Sequence, residues 1–250
     1  MHHATSVAVI TIVLTFSVSL TGCSFIRHSI AALRSTDHFI KSQVDSRVFY
    51  ESGAEAYAEK VASFLSSAVQ RVEDRQFRPF QDPVRVYVSG SKESHRKYYG
   101  SNAKAGVLNG KIFLSPRVFE QGDEIAEKYL MHELSHMHLF QPLGTYKWSR
   151  IPAWFHEGLA TYVSDGGGAN LVSQEQAIKY IRSGKYFILH KTGGLIFKKN
   201  RSDFNLHHHM FYRQSMMFVS YLVAMDHLKF KKLLRALEDG KAFSSSIHEA

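Results

Sequence analysis

Three residues within 123–140 have the types and spacing for metal chemistry: His132, Glu133 and His136. On a helix, positions four apart lie about 40° apart around the axis, so His132 and His136 point the same way, one turn apart. Two imidazoles so placed can both reach one Zn²⁺ at about 2.0–2.1 Å. Glu133 is about 100° away by the helical period of roughly 3.6 residues. That position is poor for a third ligand and good for a general base beside a water on the metal, as in the H-E-x-x-H pattern of metal-assisted hydrolysis. His138 lies about 200° from His136 by the same period and is expected to face away.

The elements that must position these groups can be read from pattern. Residues 123–140 read as a helix with an acidic first turn, Asp123 and Glu124, and no internal Gly or Pro until Pro142. Upstream, apolar residues from Ala54 to Val72 recur at spacings of three and four, which predicts a core-facing helix over 51–75. Val84–Val88 reads as a strand, and the polar stretch 91–105 as a connection with room for a short helix. Asn109-Gly110 between two apolar runs predicts a hairpin with a type I′ turn, whose outer edge could pair with an extended peptide. Residues 141–150 read as a loop, with Pro152 in the first turn of a second helix that ends at Asp165-Gly166-Gly167-Gly168. Further helices are expected over 169–182, 210–225 and 228–239, the last of them taken as the final element. The fold class is α+β, mostly helical with a small mixed sheet or hairpin ahead of the metal-binding helix.

Twenty residues lie between His136 and Glu157, enough to turn the chain and lay the second helix against the first. The His132-Glu133-x-x-His136 run followed by Pro152-x-Trp154-x-x-Glu157-Gly158-Leu159-Ala160-x-Tyr162 resembles the gluzincin metallopeptidases, and most of all their peptidase MA-like domains, relatives of thermolysin. The resemblance implies a zincin-like fold over residues 50–245, one Zn²⁺ on His132, His136 and Glu157, and Glu133 as the base. It also matches Tyr212-Arg213-Gln214-Ser215 and the residues after it, and implies Tyr212 as an oxyanion donor. Two imidazoles and one carboxylate leave a fourth tetrahedral position open, the mark of a catalytic site. A rotation of the second helix would offer His156 in place of Glu157. Trp154, Leu159 and Tyr162 read as packing, and His207-His208-His209 as a loop or helix start from which one imidazole could meet substrate.

The 250 residues carry a formal net charge of +9 and are 44% hydrophobic, which fits one domain with a sizeable core. There is no compact Lys/Arg cluster and no interleaving of basic with aromatic residues, so nucleic acid is not an expected partner. An apolar run from Val7 to Leu20 is too short to span a bilayer but fits a signal-peptide core. Leu20-Thr21-Gly22-Cys23 resembles the lipobox of bacterial lipoproteins, which implies a signal peptide over 1–22 and an acylated Cys23 in the lipid membrane; a simple signal peptide or short anchor is the other reading. Cys23 is the single cysteine, so no disulfide partner competes for it. Residues 23–49 then form the lipidated cysteine and tether, and 50–250 a single metallopeptidase domain. Ser24 rather than Asp after the cysteine implies the outer membrane of the cell envelope, facing the periplasm, in a Gram-negative source. The expected activity is hydrolysis of a peptide or protein substrate. The alternative is an envelope lipoprotein that keeps the fold only for binding or scaffolding.

Overall fold

A two-residue turn sets the edge of the sheet nearest the metal helix. Asn109 and Gly110 take φ of 50° and 67°, the left-handed pair that a type I′ turn needs. The structure is a computed structural model and describes residues 26–193 and 201–249; the predicted signal peptide and Cys23 lie outside the described residues. Its sheet has strands β1 (Ile40–Lys41), β2 (Val48–Tyr50), β3 (Val86–Val88), β4 (Ala105–Leu108) and β5 (Lys111–Leu114) in the order β1-β2-β3-β5-β4. The β2/β3 and β3/β5 pairs are parallel and the β1/β2 and β4/β5 pairs antiparallel, so the sheet is mixed. The stretch read as tether through residue 49 thus supplies two strands. Two and three residues are too few to show alternation, and pairing rather than pattern makes them strands.

Around the sheet run α1 (Glu55–Gln76), α2 (Lys92–Tyr99), α3 (Asp123–Ser149), α4 (Ala153–Val163), α5 (Gln174–Arg182), α6 (His208–Met225), α7 (His227–Glu238) and α8 (Phe243–Glu249). The molecule is α+β, with helix predominating. Strand alternation divides the two sheet faces: Val86, Val88, Ile112 and Leu114 enter the main core, while Tyr87 and Phe113 meet Phe39 and Tyr98 in a smaller aromatic cluster. The main core continues through Val61, Leu65 and Val72 of α1 to Leu130, Leu134 and Met137 of α3. With Ala68 between Leu65 and Val72, the α1 spacings of four, three and four are the stripe the sequence shows, turned inward.

Two further expectations are corrected. Residues 141–150 are not a loop: helical turns resume after a kink at Gly144, which takes φ 64° and ψ 178°. Pro142 removes a helical donor, yet the chain needs only one left-handed glycine to restart the helix, and the restart brings Trp148 beside His136, ring centroids 6.4 Å apart. The helix at 227–238 is not the last, because α8 follows, and its serine-rich sequence shows no periodic stripe.

Three contacts fix the helices that carry the site. His138 points away from the histidine pair, as its angle requires: Nδ1 is 3.0 Å from Gln76 Nε2, and Nε2 is 2.9 Å from the Arg78 carbonyl. One tautomer satisfies both bonds, with Nε2–H donating and Nδ1 accepting. From α1, Arg75 donates to the Tyr162 carbonyl at 2.6 Å and, with Arg71, pairs with Asp165, so cations sit at the negative end of the α4 dipole. Gly158 marks the closest approach of α4 to α6, where a Cβ would stand 2.6 Å from the Ser215 carbonyl oxygen.

Behind His138 the Glu238 carboxyl is buried, 3.2 Å from Arg78 Nε and 3.6 Å from His138 Nδ1. Burial pushes it up to about 7, against the pull of Arg78. A carboxyl whose folded value is raised favours the folded state while protonated, and that contribution is lost as pH climbs through about 7. Urea unfolding at pH 5 and pH 8 should therefore show a loss of stability on the order of 2 kcal/mol from this group. Glu238→Gln should remove that part of the pH dependence, and an unchanged slope would refute the assignment.

Candidate metal centre and its cleft

α3 and α4 bring His132, His136 and Glu157 together. The Nε2 atoms of the two histidines are 3.1 Å apart, and Glu157 Oε2 lies 3.3 Å from one and 3.4 Å from the other. Bonds of about 2.0–2.1 Å at a tetrahedral angle would put ligand atoms roughly 3.3–3.4 Å apart. The three observed separations are close to the edges of one tetrahedral face. Glu157 Oε2 is also buried with no hydrogen-bond partner, and an oxygen in that state calls for a cation. These three residues could hold a metal ion, and they are the one such group of three or more ligands among the described residues.

The surroundings orient the donors. His132 Nδ1 lies 3.0 Å from the Gly167 carbonyl, an acceptor only, so Nδ1 carries the proton and Nε2 keeps its lone pair for the shared point. Gly167 belongs to the glycine run after α4, read from sequence merely as a helix stop. A Cβ there would be 2.5 Å from the Lys128 carbonyl, so only glycine lets the strap lie this close to α3. Next along, Gly168 (φ 79°) lies under Tyr212 and His132, with a Cβ meeting them at 2.9 and 3.3 Å. Tyr212 stacks on His132, centroids 5.6 Å apart and planes 20° apart.

Charge and burial separate the two carboxyls. Burial works to raise Glu157, but the positive charge that His136, His132 and His156 carry when protonated outweighs it and holds it well below the usual carboxylate range. Burial pushes Glu133 up to about 7, with His132 pulling down and Glu157 pushing up. One carboxyl is thus kept ionised as a ligand while the other sits where a proton can come and go. His156, the other ligand considered, packs its ring on Trp148 at 4.8 Å, and its Nδ1 is 3.6 Å from Glu157 Oε1, outside the three-atom group.

Two adjoining cavities open over these groups. One, about 280 Å³, is lined by Tyr99, Trp148, Glu157 and alternate residues of the β4 region, Ala103, Ala105 and Val107. The other, about 430 Å³, reaches from His132 and Glu133 past Tyr129 to Lys104 and Arg117. Tyr212 borders both. His208 and His209 line the larger cavity from the start of α6, whereas His207 is exposed at its N-cap.

No protein-family model matches the chain, and no curated protein does.

Sequence reasoning missed Tyr99, which looked like part of a polar connection. Burial first, then the charges of Glu133 and Glu157, push its hydroxyl above the usual phenol range. Its ring fills the space where a Gly106 Cβ would lie, 1.9 Å from ring carbon Cζ. The only signal available was a glycine in the middle of a predicted strand, which marks a close approach.

The donor set makes a direct prediction. Dialysed protein titrated with Zn²⁺ should take up one equivalent, and His132→Ala, His136→Ala or Glu157→Ala should each weaken uptake at least about tenfold. His156→Ala and His138→Ala should leave the stoichiometry intact. Undiminished binding in the Glu157 variant would show that the ion is held elsewhere.

Proposed function

We propose that the protein is a zinc-dependent peptidase of the gluzincin type, tethered to the cell envelope through Cys23. What carries the reading is the trio of ligand atoms 3.1–3.4 Å apart with Glu133 beside them on the same helix. A gluzincin assignment needs the third ligand to be a carboxylate from a following helix, and Glu157 on α4 meets that need. Two nitrogens and one carboxylate oxygen suit zinc, and four-coordination leaves a corner for water.

When bound, zinc would lower the pKa of a water toward 7 and polarise the substrate carbonyl. Glu133 would accept a proton from the attacking water as the new C–O bond forms at the carbonyl carbon. The same carboxyl, now protonated, delivers the proton to the amine nitrogen as the C–N bond breaks, and ends ionised as it began. Tyr212, stacked on His132 at the junction of the two cavities, donates a hydrogen bond to the oxygen on which negative charge develops. The substrate lies extended along β4, the outer strand of the sheet, whose Ala105 and Val107 face the smaller cavity. No nucleophilic side chain is needed in this scheme.

The reading is tested by Glu133→Gln, which keeps the shape of the site and removes the base. Zinc content should stay at one equivalent while cleavage of a quenched-fluorescent peptide library falls about 10²–10⁴-fold. Since Glu133 acts only when ionised and a bound cation opposes its protonation, the acid limb of wild-type activity should lie at or below about pH 7. Cleavage by the Gln variant at the wild-type rate would end the proposal.

A further inference from the structure

The larger cavity has a charged wall that hydrolysis itself does not use. Lys104, just before β4, and Arg117, just after β5, are brought to one end of the hairpin, where Ser115 N–H donates to the Lys104 carbonyl at 2.9 Å. Both line the cavity beyond Glu133, the one acidic residue of that lining among the described residues. Each cation is held in place: the Lys104 ammonium lies 5.6 Å from the Tyr129 ring centre, and Arg117 Nη1 donates to the Asn102 carbonyl at 3.3 Å. Among the described residues they share one counter-charge, Glu120, 3.6 Å from Lys104 and 3.5 Å from Arg117. That carboxylate is 54% exposed, against 20% for Lys104 and 34% for Arg117, so the partner sits in solvent and the cations sit against the cavity. Beyond Glu133, the described residues of this wall set two positive charges against one exposed negative charge.

We propose that Lys104 and Arg117 form a subsite that selects peptides bearing a carboxylate on this side of the scissile bond. The inference rests on the peptidase reading of the cleft and names the substrate class that cleft takes. The cavity of about 430 Å³ has room for a side chain beside the reacting bond. A half-buried cation repays a carboxylate more than an exposed one does, because less water competes for it. Asn102, Gln121 and Asn170, on the same lining, supply neutral hydrogen-bonding groups around the charge. The carboxylate can belong to a Glu or Asp side chain or to a free C-terminus, and the two are separable by experiment.

The full-length protein in detergent, loaded with zinc, is assayed on an alanine-based hexapeptide set with Glu or Gln at each position and with free or amidated C-termini. One Glu position, or the free C-terminus, should raise kcat/KM roughly tenfold or more over its neutral counterpart. Lys104→Met/Arg117→Met should bring that ratio toward one, and Lys104→Glu/Arg117→Glu should transfer the preference to Lys-containing peptides, with zinc content and circular dichroism confirming intact folds. Equal rates for all charged and neutral pairs in the wild type would overturn the subsite. If no peptide is cut, fluorescence anisotropy of the same labelled pairs with the zinc-loaded Glu133→Gln protein separates the failures. A carboxylate-dependent difference that Lys104→Met/Arg117→Met abolishes upholds the subsite and condemns the peptidase reading, whereas no difference condemns both.

Discussion

Three electron-rich atoms are aimed at one point, and the rest of the molecule holds them there. Two imidazole nitrogens 3.1 Å apart and a carboxylate oxygen about as close to both form an unfavourable grouping on its own. A shared cation would turn mutual repulsion into coordination. Until then the arrangement must be maintained by packing and by hydrogen bonds made elsewhere. The Gly167 carbonyl fixes the His132 tautomer, Gln76 and the Arg78 carbonyl hold the back of α3 through His138, and Arg71 and Arg75 hold the end of α4 through Asp165. The contacts of His138 and Asp165 lead into α1 or the chain next to it, and α1 is buried along its Val61, Leu65 and Val72 stripe. The geometry of the centre is therefore a property of the core.

Much of this centre was legible in the sequence because helical geometry is regular. The spacing of His132 and His136 required one shared direction, and the same arithmetic sent His138 to the opposite side, where it is found. The hairpin was legible because Asn109 and Gly110 are among the few residues that accept positive φ at low cost. Glu157 stood at a plausible distance along the chain, but its convergence on the pair depends on how α4 crosses α3, and only the resemblance to a known motif anticipated it.

What escaped the sequence depends on tertiary contact or on the main chain. A backbone carbonyl such as that of Gly167 has no residue type to betray it. β1 and β2 are too short for alternation to register, so the sheet proved wider than the hairpin and single strand expected. The helix beyond Pro142 restarts because Gly144 supplies one left-handed residue, a choice that a generic rule about proline and glycine reads as an ending. Lys104 and Arg117 stand thirteen positions apart in the chain, and the hairpin makes them neighbours.

Gly158 directly follows Glu157, and its missing side chain lets α4 settle onto the Ser215 carbonyl of α6. The seat of the helix that carries Glu157 thus depends on a hydrogen atom on its far side. A methyl group there would touch no donor, yet it would collide with that carbonyl, so α4 or α6 would have to give way and Glu157 rides on the first of them. The place of a donor atom is thus set from behind, by a residue that lies on the opposite side of its helix.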